Sequence, residues 1–206
     1  MHIEILPVSI DVEQVTGMQH LLVVHWHHEP LDNPYQGFLE LVCREHQFNF
    51  LLWHEEDVAR CPHSSDVRIA TAKRTIDKLN QQRNDAIEHM DDAIADIVER
   101  EETLSRGPLN TETPGSVIDR LSILALRMYH FEEQLQRADV DEEHCQIVQQ
   151  KLDICTRQHW ELARSLRELL TDILAGRKRH RTYRQMKMYN DSTLNPYLYR
   201  NRSDAP

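Results

Sequence analysis

Between His46 and Arg60 the chain reads His-Gln-Phe-Asn-Phe-Leu-Leu-Trp-His-Glu-Glu-Asp-Val-Ala-Arg. The apolar density is that of a buried helix, yet six chemically capable side chains are set into it. At 3.6 residues per turn, Asn49, Trp53, Glu56 and Arg60 fall on one line, and His54 stands one turn before Asp57. Imidazole and carboxylate move protons, and guanidinium holds anions. His54, Glu56 and Asp57 are therefore candidate catalytic groups, and Asn49, Trp53 and Arg60 candidate ligand contacts. The pattern predicts that His54 and Asp57 face inward, with Arg60 or Arg83 within ion-pair distance of Glu56 or Asp57. The competing arrangement is a local Glu56–Arg60 pair on the surface, worth only about 0.3–0.5 kcal/mol.

Further polar residues interrupt other apolar segments. Asn80-Gln-Gln-Arg-Asn-Asp85 contains Arg83 where the helical period calls for an apolar residue. Such an arginine either snorkels or pairs with a carboxylate, or it points inward to answer Glu56, Asp57 or a ligand anion. Asn80 and Asn84 flank it. Asp119 and His130 come from a later helix, and Lys187, Asn190 and Asp191 from the C-terminal segment. Brought together, these groups would bind, or transfer a proton on, a small phosphorylated or sugar-type ligand. A metal version would use His54 and Asp57 with His27 or His130. The run His25-Trp-His-His28 looks richer than it is, because only His25 and His28 share a helical face. No Glu-x-x-His pair of the di-iron bundle kind occurs in corresponding helices. The residues name no cofactor and do not choose between catalyst and binder.

Six segments must position these groups. A first helix is expected over about Val12–His28, ended by Pro30 and Pro34. A second runs from about Tyr35 to Arg60, its stripe made by Phe38, Leu41, Val42, Phe48, Leu52 and Ala59, and Cys61-Pro62 ends it. Ser64-Ser65-Asp66 caps a long third helix reaching about Thr103, with Ile69, Ala72, Ile76, Leu79, Ile87, Met90 and Ile94 in period. Thr113 caps the next, with Pro114 at its first position. There Val117, Ile118, Leu121, Leu124, Met128, Phe131 and Leu135 make the apolar face, and Asp119, Ser122 and Tyr129 lie off it. The Thr-Pro-Gly-Ser turn is a weak anion-site signal. Residues 139–176 give another long helix, capped by Asp139 or Asp141, with a core face of Ile147, Val148, Ile154, Leu162, Leu166, Leu169 and Ile173. Gly176 suits the position after it. The tail from Arg177 to Tyr199 is expected to form a short helix and then an extended segment packed on the body.

The 206 residues fit a single helical domain, 1–176 an acidic body and 177–206 a basic docked segment. Net charge is −10, split as −16 over residues 1–176 and +6 over 177–206. An acidic body argues against general nucleic-acid binding. No apolar run approaches the roughly 18 residues of a membrane span, and the start lacks the form of a signal peptide. Four cysteines without a CxxC pair read as reduced thiols in a cytoplasmic protein. Oligomeric state is not legible.

Four stretches together carry a resemblance: His46–Arg60, Asn80–Asp85, Asn110-Thr-Glu-Thr-Pro-Gly-Ser-Val-Ile-Asp-Arg-Leu-Ser-Ile-Leu124, and Tyr183–Asp191 with Leu194-Asn-Pro196. The chain resembles, from about Trp26 to Tyr199, the bacterial domain-of-unknown-function family 4254. The resemblance implies a soluble α-helical protein, similar to ones encoded beside glycosyltransferases of envelope polysaccharide synthesis. It carries no catalytic residues over. The expected fold is an all-α, antiparallel bundle of four major helices with a short basic C-terminal helix and extended tail. Two further functions remain open beside the polar ligand site: a non-enzymatic scaffold or accessory partner of a glycosyltransferase, and a metal-binding helical bundle.

Overall fold

The computed structural model describes residues 10–100, 106–188 and 191–199. Five long helices fill most of them: α1 (Val12–Trp26), α2 (Phe38–Arg60), α3 (Asp66–Arg100), α4 (Pro114–Leu135) and α5 (Glu142–Leu174). A single turn, α6 (Pro196–Tyr199), follows. The all-α bundle is as expected; counting α1, itself expected over about Val12–His28, it has five long helices rather than four major ones. No strand occurs among the described residues; one isolated bridge pairs Leu109 with Arg179. The end of α3 near Thr103, like Asn190, lies outside the described residues.

Helix limits follow local chemistry. Asp11 caps α1 by accepting from the amides of Glu13 and Gln14. Thr113 accepts from Ser116, and Pro114 stands in the first turn of α4. Asp141, not Asp139, caps α5. Gly176 closes α5 at φ +68°, a backbone region that costs a residue with a Cβ far more. Two short connections fold α2 onto α3 and α4 onto α5, giving two helical hairpins, with α1 packed mainly on α4 and also on α2 and α5.

The main core joins all five helices, through Val15, Val23, Val42, Met90, Ile118, Leu121 and Leu166 among others. A smaller cluster of Leu52, Ile76 and Leu79 seals the α2–α3 hairpin. The stripes need one extension and one correction. Asp119 and Ser122 are buried, because the first turns of α4 are enclosed on nearly every side. Ile147 and Ile154 are exposed, as is Ile69; among the described residues no neighbour covers that face of these outer turns of α5 and α3. Trp160 is exposed too.

The tail also departs from expectation. It runs extended over 181–187, and its described α-helical turn comes at Pro196. Charge holds it: Arg184 reaches Glu88 at 3.2 Å and Asp92 at 2.9 Å, and Lys187 donates to the Asn80 carbonyl. Its apolar residues do not seal the contact, since Tyr183, Met186, Met188, Leu194, Tyr197 and Leu198 are all exposed.

The start of α4 sits tightly on α3. The Gly115 amide donates to Asp91 at 2.7 Å, so the protein's own carboxylate takes the anion position of the Thr-Pro-Gly-Ser turn. A Cβ at Gly115 would stand 2.8 Å from both Asp91 Oδ1 and the Ile87 carbonyl. Gly115→Ala is expected to lower unfolding free energy by about 1–3 kcal/mol, read as a drop in urea midpoint at unchanged slope.

Candidate functional site

The site is built where α2, α3 and α4 meet. Asn49, Trp53, Glu56, Asp57 and Arg60 from α2 and Asn80 and Arg83 from α3 line one open cavity of about 260 Å³, closed below by Leu52, Ile123 and Leu126. All seven polar or aromatic residues were legible as candidates. Their orientations differ in part from expectation. Asp57 is exposed at the rim and does not face inward. Arg60 pairs with Glu56 at 2.9 Å with its own side chain largely exposed, which is the surface i, i+4 arrangement. His54 turns away from this cavity. Asn84 is buried nearer Asp91 and Thr113, in a separate small cavity. Lys187 and Asp191 line a groove with Arg184 on the far side of α3.

Arg83 does not answer Glu56 or Asp57. Its Nε lies 3.3 Å from Asp119 Oδ1, and both side chains are mostly buried. Asp119 opens onto a polar cluster the sequence reading had not assembled. Glu45, His46 and Ser122 have no measurable exposure, nor does Gln19. His46 Nε2 sits 2.9 Å from the Gln19 carbonyl, which only accepts, so that nitrogen carries the proton. His46 Nδ1 must then accept from the Ser122 hydroxyl at 2.7 Å. Ser122 Oγ in turn accepts from Asn49 Nδ2 at 2.9 Å. Asn49 has one N–H left, directed at Glu45 Oε1 and at Asp119 Oδ1.

One N–H facing two carboxyl groups cannot keep both ionised. Burial first, and then the charge of Asp119, push the Glu45 carboxyl well above the usual range, while Arg83 pulls the other way. Glu45 holds the proton, and Asp119, facing Arg83, holds the charge. Burial also drives His46 down to about 3, so it stays neutral. The sequence signal was present: Glu45 and Asn49 stand at i, i+4, and Asp119 and Ser122 at i, i+3.

A second cluster lies behind Trp53. His27 at the end of α1, His54 on α2 and His130 on α4 turn ring nitrogens towards each other, all within 4.8 Å. Trp53 stacks on His130 with centroids 4.7 Å apart, and Tyr129 on His27 at 4.0 Å. Burial, with mutual repulsion among the imidazoles, lowers the pKa of His27 and of His54. Of the metal candidates, Asp57 is not part of this group.

The arrangement is an all-α protein in which a solvent-open polar cavity lies beside two buried carboxyl groups, Glu45 and Asp119. Residues 39–182 match the family described as protein of unknown function (DUF4254). The chain belongs to that family. No curated protein and no solved structure matches it. No helix among the described residues is long and apolar enough to cross a membrane.

Proposed function

We propose that the chain binds a small polyhydroxylated ligand carrying an anionic group, of the sugar-phosphate class, in the cavity between α2, α3 and α4. The observation that carries this reading is the convergence of Trp53, Glu56, Asp57, Arg60, Asn80 and Arg83 on one open space. An aromatic face suits the apolar side of a sugar ring. Carboxylates and amides suit hydroxyls, and two guanidiniums suit a phosphate. The buried pair supports binding more than catalysis. Glu45, the group with a proton to give, is fully enclosed, and only Asn49 and Arg83 connect its pair to the cavity. Asp119 then serves to orient Arg83.

The test is calorimetry with a panel of hexose phosphates, nucleotide sugars and inorganic phosphate. One or more sugar phosphates should bind, and inorganic phosphate should bind far more weakly. Trp53→Leu and Asn80→Ala should each weaken that binding at least about tenfold, or about 1.4 kcal/mol. Unchanged affinity in both variants, or no binding across the panel, would defeat the reading.

An accessory role beside a glycosyltransferase is the second reading. Exposed Ile147, Ile154 and Trp160 along α5 favour it, since apolar residues on an outer face suit a protein contact. A cytoplasmic setting fits either reading.

A further inference from the structure

We propose that His27, His54 and His130 form a three-histidine site for a divalent transition-metal ion of the zinc class. This is independent of the sugar-phosphate reading, because none of the three lines that cavity. The ring centroids are 5.2 Å apart for His27–His54, 5.1 Å for His27–His130 and 5.8 Å for His54–His130. Nitrogens at about 2.0–2.1 Å from a tetrahedral zinc would set imidazole centres about 5 Å apart. The three planes meet at 71°, 76° and 77°, so the rings are set edge to face around a common centre rather than stacked on one another.

Two of the three rings have the outer contacts a metal ligand needs. His27 Nδ1 lies 2.6 Å from the Val23 carbonyl, so that nitrogen donates and Nε2 is left with a free lone pair. His130 Nδ1 lies 2.6 Å from a Glu133 carboxylate oxygen, which orients the ring in the same way. Both Nε2 atoms are buried and have no hydrogen-bond partner. A buried lone pair without a donor is uncommon, and two pointing into one group of histidines call for a shared acceptor of electron pairs. Trp53, Tyr129 and Phe50 pack on the rings and limit their rotation.

Three neutral nitrogen ligands suit Zn²⁺, Co²⁺, Ni²⁺ or Cu²⁺ and not Mg²⁺ or Ca²⁺, which prefer oxygen. Three protein ligands leave a fourth position for water or a small anion. His130 also borders an open cavity of about 400 Å³ with Trp53, Asp57 and Arg127, which gives the site a solvent path.

The experiment uses full-length protein stripped with a chelator and titrated with Zn²⁺ and with Co²⁺. One equivalent should bind, Co²⁺ should give the intense visible absorption of four- or five-coordinate geometry, and Mg²⁺ should not compete. His54→Ala and His130→Ala should abolish the stoichiometric site, while His25→Ala and His28→Ala leave it intact. Glu133→Gln should weaken it about tenfold, as loss of an outer carboxylate does. Wild-type imidazole ¹⁵N spectra give a readout free of folding effects, and Nε2 of His27 and His130 should move on adding Zn²⁺. Unmoved Nε2 signals, or one-equivalent binding that survives His54→Ala and His130→Ala, would overturn the proposal.

Discussion

Asp119→Asn is expected to cost about 3–5 kcal/mol of stability, whereas Glu45→Gln costs close to nothing or stabilises. The two carboxyls are neighbours and both are buried, so burial alone would predict equal effects. Their protons set them apart. Asp119 carries the charge that Arg83 faces at 3.3 Å, and removing it leaves a mostly buried guanidinium without its partner. Glu45 is already neutral, so a neutral amide of the same shape replaces it without losing a charge. Glu45 can ionise towards Arg83 once Asp119 is neutral, which places the loss nearer the lower figure. Urea unfolding of both variants at pH 7 checks this. Equal losses would mean that the charge is not on Asp119.

Asp91→Asn is the second large effect, and its size should depend on pH. Burial raises the Asp91 carboxyl from 3.8 to about 6, against the hydrogen bonds from Thr113 and the Gly115 amide. The folded state therefore binds this proton more tightly than the unfolded chain. The stability it contributes is fully present below pH 3.8 and is lost as pH rises through about 6. Asparagine does not titrate and still offers an oxygen to the Gly115 amide. The stability of the variant relative to wild type should thus grow by about 1.4 kcal/mol per pH unit across that window, about 3 kcal/mol in all. His46 has the opposite sign: with a folded pKa of about 3, its contribution is intact above 6.5 and falls as pH falls. It titrates alike in both proteins and drops out of the difference. A difference curve flat from pH 4 to pH 7 would refute the assignment.

Much of the fold was legible because its punctuation is local. Pro62, Thr113 with Pro114, Asp141 and Gly176 each act on their own turn, and the helices end where they say. The face of a helix is less local. An apolar stripe identifies one side only, so Asp119 and Ser122 were read as lying off it, and the stripe gave no sign that α4 is enclosed nearly all round at its start. Ile147 and Ile154 satisfied the period but lie on a face of α5 left exposed among the described residues, while Val148, Leu152 and Cys155 on the same turns are buried. For the candidate site, the residues of the open cavity were readable from the α2 and α3 motifs. Which partner each would choose was not, since Arg83 pairs with a residue 36 positions away and Arg60 with its own helix. Glu45 gave no sign on its own, because a lone glutamate in a helix is ordinarily a surface residue. His27, His54 and His130 were each named as metal candidates, but that all three meet, and without Asp57, appears only in three dimensions.

The hydrogen-bond chain from Gln19 through His46 and Ser122 to Asn49 bears on how the bundle finds a single arrangement. Apolar helix faces are forgiving: slide one helix by a turn past another and leucine still meets leucine. The polar chain has no such tolerance. It draws on α1, α2 and α4 together, and Gln19 also reaches the Ile118 carbonyl at 3.2 Å across those helices. A misaligned α4 would strand the Asn49 amide and the Glu45 carboxyl in a dry interior, each at a cost of about 1–3 kcal/mol. The cluster thereby widens the energy gap between the native packing and its near copies, most of which bury the same apolar surface.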